Sequence, residues 1–193
     1  EATTAVTRLI EKDNVVAIIG SYGSGVSIAA GDIIKKAKIP AMGASCTNPM
    51  VTEGNEFYFR ACFLDPFQGK VMANYALDQG AKTAAVIMQN GDDYSVGLGN
   101  FFINAFKELT GDENSIVDVS EFQVNDTDFN GILTNIKAKN PDVIFAPSSA
   151  TTAPLIIRQA RDLGIKSSKM IPQLKKQKHS LKATKKNWQA RNL

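Results

Sequence analysis

The sequence predicts an α/β protein made of two units, each a parallel sheet with helices packed against it. Short apolar runs alternate with stretches of helical period along the chain. The runs at 15–19 and 83–88 carry no charge, as strands buried on both faces of a parallel sheet require. The rhythm breaks at 63–69, a boundary between the two units.

Taken in order, Ala2, Ala5, Val6, Leu9 and Ile10 stripe a first helix that ends near Asp13-Asn14. Residues 15–19 are the first strand, and Gly20-Ser21-Tyr22-Gly23-Ser24-Gly25 is a turn of mostly small residues. Val26, Ile28, Ala29, Ala30, Ile33, Ile34 and Ala37 then follow at helical spacing. A strand, a Gly/Ser turn and a helix leave backbone N–H groups and hydroxyls at the carboxyl end of a sheet, where α/β proteins bind ligands. Residues 39–44 form a short strand with Pro40 at its start, where a missing N–H is tolerated. Residues 45–49 make a polar turn, and 57–63 alternate as a third strand. Asp65 reads as a helix N-cap with Pro66 at the first helical position. That helix turns Val71, Met72, Tyr75 and Ala76 inward and stops at Gly80.

The second series repeats the pattern. Residues 83–88 are a strand, 89–94 its polar exit loop, and Val96, Leu98, Phe101, Phe102, Ala105, Phe106 and Leu109 a helix ended by Gly111. Residues 116–122 are a strand, and Asp126-Thr127-Asp128 cap a helix bearing Phe129, Ile132, Leu133 and Ile136. Residues 141–146 are a strand with 148–152 as exit loop, before a helix that ends at Gly164. The first unit has three strands and starts with a helix, so an opening strand is expected ahead of Glu1.

At 193 residues and 44% apolar composition the chain can build a real core. No run has the length of a membrane span, and the N-terminus carries no basic and apolar leader pattern. Cys46 and Cys62 match no disulfide framework or metal spacing and read as buried thiols. The net charge of +3 is uneven. Residues 171–193 hold seven of the 22 basic residues and no acid, so 1–170 carry 15 basic against 19 acidic groups, a net of −4. This lysine-rich tail also holds His179 and Trp188, the only ones of their kind. It reads as a solvated segment foreign to the rest. A lone Trp makes no stacking platform, and no nucleic-acid partner is expected.

Four loops after strands collect hydroxyls and amides: 21–27, 45–48, 90–94 and 148–152. None holds a base beside a nucleophile, which excludes a Ser-His arrangement outside the tail. Gly20, Gly23 and Gly25 run G-x-x-G-x-G, which is neither a dinucleotide fingerprint nor a phosphate loop. Asp92-Asp93 reads as a solvated turn rather than a cation site. No enzyme, cofactor or metal is therefore expected. Each loop taken alone could serve only as a cap, a turn or a packing contact. Their shared position at strand ends favours binding, and neutral donors suit a small zwitterion or carboxylate.

Six segments together resemble the branched-chain amino-acid-binding (Leu/Ile/Val-binding) family, extracytoplasmic solute-binding proteins of ABC transporters. They are 15–27; Ile39-Pro40 with Ser45-Cys46-Thr47-Asn48-Pro49; 59–69; Asp93-Tyr94-Ser95-Val96-Gly97-Leu98; Asp126-Thr127-Asp128-Phe129; and Asn140-Pro141-Asp142-Val143-Ile144. The resemblance covers about 1–170. It implies the type I periplasmic-binding fold, two Rossmann-like parallel-sheet lobes closing over an amino acid. Both lobes would be incomplete here: 1–64 a partial first lobe, 65–170 a partial second lobe, and 171–193 the atypical tail. By position, Ser24 and the N–H groups near Gly23, beside Tyr22, resemble the holders of a ligand carboxylate. Ser45 and Thr47, flanking Cys46, match positions that bind the α-amino and carboxylate groups. Tyr94 matches an aromatic closing from the second lobe, and Ser148 and Ser149 stand where relatives often carry an aromatic. The resemblance further implies an ABC permease as partner and an extracytoplasmic location with no signal in this chain. It also implies an exposed sheet edge for self-association, and weak or no binding by these residues alone. The other reading of the same fold is a ligand-sensing domain of a regulator or signalling receptor.

Overall fold

The computed structural model describes residues 1–166 and 170–171, which form two parallel sheets flanked by helices. In the first, β1 (Ile18–Ile19), β2 (Ala41–Gly43) and β3 (Tyr58–Arg60) lie in sequence order, with α1 (Ala2–Glu11) and α2 (Ser24–Ala37) packed together beside them. α3 (Asp65–Asp78) opens the second unit. Its sheet has the order β5-β4-β6-β7, built from β4 (Ala84–Gln89), β5 (Ile116–Phe122), β6 (Val143–Phe145) and β7 (Met170–Ile171). Between them run α4 (Asp93–Thr110), α5 (Asn130–Lys139) and α6 (Ala153–Asp162).

β4 is buried on both faces, as its uncharged run requires. Ala84, Val86 and Met88 meet Met72, Ala76, Leu98 and Phe102 of α3 and α4. Ala85 and Ile87 meet Leu133, Ile136, Ile156 and Ala160 of α5 and α6. Phe102 stacks on Phe145 with ring centroids 4.3 Å apart. α3 and α4 pack closely at Gly69, where a Cβ would lie 2.7 Å from the backbone carbon of Phe101.

The first sheet differs. Ala41 and Tyr58 turn to a core shared with Ala30, Ile34 and Val51. The register sets Ile19, Met42 and Phe59 side by side, and they are 89%, 40% and 49% exposed. The expectation of a first strand buried on both faces is corrected here. Successive residues alternate between faces, and nothing among the described residues covers the second one, so Val16 is exposed too. The paired part of the run is only Ile18–Ile19.

Three further expectations shift. Asp65 is not the cap of α3: Leu64 is, and Asp65 is a fully buried first-turn residue. α5 starts at Asn130 with Phe129 at its N-cap; Asp128 still serves the helix start by accepting from Asn130 N at 2.9 Å, whereas Asp126 closes its own turn by accepting from Gln123 N at 2.7 Å. Both cysteines are free thiols, Cys46 buried and Cys62 only half-buried. β7 pairs with β6 through Ile144 and Phe145, and the sequence reading placed no strand there. The lysine-rich tail beyond Ile171 lies outside the described residues. No helix among them is long and apolar enough to cross a membrane.

Candidate functional site

The turn after β1 is held by the tyrosine at the start of β3. Tyr58 donates its hydroxyl to Gly20 O at 2.9 Å and accepts from Ser21 N at 3.2 Å. Ser21 Oγ bonds Gly23 O at 2.9 Å and shares a hydrogen bond with Ser27 Oγ at 2.7 Å. Gly23 has no side chain to cap α2, and the first helical bond is Ser27 N to Gly23 O. The N–H groups of Ser24, Gly25 and Val26 therefore point out of an uncapped helix end, a natural seat for an anion. Ser24 Oγ accepts from Asn48 N at 3.1 Å, which leaves its own proton to donate.

The loop after β2 is clamped from below by Arg60. Its guanidinium donates to Cys46 O at 3.0 Å, Asn48 O at 2.7 Å, Pro49 O at 2.9 Å and Thr52 Oγ1 at 2.6 Å. Asn48 reaches across to the second unit, donating from Nδ2 to Asp93 O at 2.8 Å. Gly97 makes room for that amide, since a Cβ there would stand 2.8 Å from Asn48 Nδ2.

On the opposite side Asp92 caps α4 by accepting from Ser95 N at 3.2 Å. Ser95, fully buried, accepts from Gln89 N at 2.8 Å and donates to Pro147 O, tying the exits of β4 and β6 together. Tyr94 thus sits in the first turn of α4 rather than in a loop. Burial, followed by the Asp65 charge, pushes its phenol above the usual tyrosine range. Burial also raises the Asp92 carboxyl. Ser149 is engaged locally, bonding Thr151 Oγ1 at 2.7 Å and Thr152 Oγ1 at 3.0 Å.

These pieces meet at a cleft of about 340 Å³ between the two units. Tyr22, Gly23, Ser24, Ser45, Thr47, Tyr94, Ser148 and Ser149 all line it. Cys46 does not: its side chain is wholly buried against Gly43. The sequence reading missed Cys62, Phe63, Gln68 and Asp92 on the same walls. Gln68 was legible in principle, since it lies three residues after Asp65 on one face of the new helix. Asp65 lies close behind the lining, and burial lifts its carboxyl to about 6, with Thr47 and Arg60 pulling the other way. The Thr47 hydroxyl is near enough to lower that value, yet neither it nor the carboxylate reaches hydrogen-bonding geometry. A second depression, of about 310 Å³ beside Lys137 and Gly164, gathers no hydroxyls. No group of acids, cysteines and histidines among the described residues could hold a metal ion.

Comparison with known proteins agrees with this architecture. A model of the family described as "Periplasmic binding protein" matches residues 1–189. An amino acid binding protein of Pseudomonas aeruginosa is 27% identical over 86% of this chain and 44% of its own length. The crystal structure of a leucine binding protein from Thermotoga maritima superposes with a TM-score of 0.78 at 43% identity, over 84% of this chain and 46% of that one. A branched-chain amino acid transporter substrate binding protein from Streptococcus pneumoniae, in complex with isoleucine, gives 0.75 at 34%, over 86% and 46%. The chain thus spans under half the length of these relatives.

Proposed function

Because the chain belongs to the periplasmic binding protein family, we propose that its cleft receives a branched-chain or related amino acid. The protein would act as the extracytoplasmic solute-binding component of an ABC transporter, passing ligand to the membrane permease. One observation carries the reading: the exits of strands from both sheets converge on a single cleft lined by hydroxyls, amides and uncapped N–H groups. The ligand carboxylate sits at the N-terminus of α2, on Ser24 and its neighbouring amides, beside Tyr22 and Gly23. Ser45 and Thr47 share the carboxylate and amino groups. Tyr94 closes from the second unit, and Ser148 and Ser149 border the ligand side chain. Relatives named for leucine and isoleucine support this ligand class.

Calorimetric titration with leucine, isoleucine and valine tests this. Binding is expected near the millimolar range, about −4 kcal/mol, because these loops alone form an open cleft. Ser24→Ala should weaken it by about 1 kcal/mol, the loss of one hydrogen bond. A folded chain that binds none of the three contradicts the reading.

A further inference from the structure

The chain has two cysteines, and the first sheet brings them together. Gly43, the last residue of β2, pairs with Arg60, the last of β3, and its carbonyl accepts from Ala61 N at 3.1 Å. Cys62 follows Ala61 directly, and Cys46 stands three residues beyond Gly43. The two therefore sit side by side where neighbouring strands leave the sheet. Cys62 Sγ donates to Cys46 O at 3.5 Å. Arg60 donates to that same carbonyl at 3.0 Å, which fixes the backbone of Cys46 against the sulfur. Neighbouring strands lie about 4.8 Å apart, within the range of about 4.4–6.8 Å between Cα atoms that a disulfide spans.

The two thiols differ in access. Cys46 is fully buried, its sulfur packed into the space that Gly43 leaves by having no side chain. Cys62 is half-buried and lines the cleft, where a small molecule can meet it. Burial, followed by the Cys46 thiol, raises the Cys62 thiol above the usual cysteine range. The reduced pair thus has little thiolate character to stabilise it against oxidation.

We propose that Cys46 and Cys62 form a redox site, which a small disulfide entering the cleft oxidises to a bridge within the chain. The Cys62 thiolate attacks one sulfur of the reagent and expels a thiolate, leaving a mixed disulfide. Cys46 then gives up its proton, turns about its Cα–Cβ bond out of the Gly43 space and attacks Cys62 Sγ, expelling the second thiolate. The protons lost by the two cysteines end on the two thiols released, and two electrons pass from the cysteines to the reagent. The bridge ties the loop that carries Ser45 and Thr47 to the exit of β3. It stands or falls independently of the amino-acid reading.

The test treats the folded 193-residue chain with oxidised glutathione and follows it by intact mass and peptide mapping. With two cysteines in the chain, any bridge within one molecule joins this pair. The expected product is lighter by two hydrogens, and its Cys46 and Cys62 peptides separate only after reduction. Titration against glutathione should give the pair an effective concentration about tenfold or more above that in concentrated urea, because the fold holds the two together. Cys46→Ser should stop at the glutathione adduct on Cys62, and Cys62→Ser should stay unmodified. A stable glutathione adduct on the wild-type chain, two thiols that survive the treatment, bridges formed only between chains, or an effective concentration no higher than in urea each overturns the proposal. Should either variant not fold, the wild-type measurements decide alone.

Discussion

Asp65 shows how much a single side chain can conceal in a sequence. Followed by proline, it has the signature of a helix cap, and local pattern alone favours that role. The structure moves it one residue inward, where the chain crossing between the sheets buries its carboxyl without a partner. Burial depends on tertiary packing, which no spacing rule reports. The consequence is measurable. Its folded value of about 6 stands above the ordinary 3.8, so the folded state holds the proton over that interval. Stability contributed by the protonated form is present below about pH 4 and is lost as pH rises through about 6, a cost of about 2–3 kcal/mol. Asp65→Asn cannot ionise and should be more stable than wild type by about that amount near pH 7.5 in urea unfolding. It should show no advantage near pH 4. A variant less stable than wild type at both values would sink this account. Ser24 was legible by contrast, because a Gly-Ser-Gly entry to a helix leaves uncapped amides wherever the chain folds.

At the scale of elements, long periodic segments declared themselves and contacts between them did not. β5 spans Ile116–Phe122, the range read from the sequence, and the helix of phenylalanines ends at Gly111, whose φ of +68° suits glycine. The start of α3 was displaced by one residue, with Leu64 at the cap and Asp65 buried in the first turn, and α5 begins after Phe129. The pairing of α3 with α4 left only a trace in sequence, Gly69. Gly69→Ala places a methyl against the backbone of Phe101 and Phe102, which cannot move aside as a side chain would. We expect a loss of about 1–3 kcal/mol in thermal or urea unfolding. Wild-type stability in this variant would mean that the two helices are free to separate. Arg60 is the corresponding device in the first unit, fixing the loop that carries Ser45 and Thr47 without touching the cleft.

For the whole molecule, the alternation of strands and helices fixed the α/β class, and the resemblance of six short segments led to the family. The bare face of the first sheet was not foreseen, because apolar runs report burial only when something packs on them. Ile19, Met42 and Phe59 form a continuous apolar stripe there. Met42→Lys should reduce dye binding by exposed apolar surface and lower any self-association seen in light scattering, with little change in helix content. Dye binding equal to wild type would show that the stripe is covered in solution. The central claim concerns the cleft itself, that loops from both sheets hold one amino acid with its carboxylate at the start of α2. The most direct measurement is amide NMR of the 193-residue chain during titration with L-leucine. The account predicts saturable shifts that follow one isotherm and centre on Gly23, Ser24, Ser45, Thr47 and Tyr94. Shifts confined to one unit, or none that saturate, would contradict it.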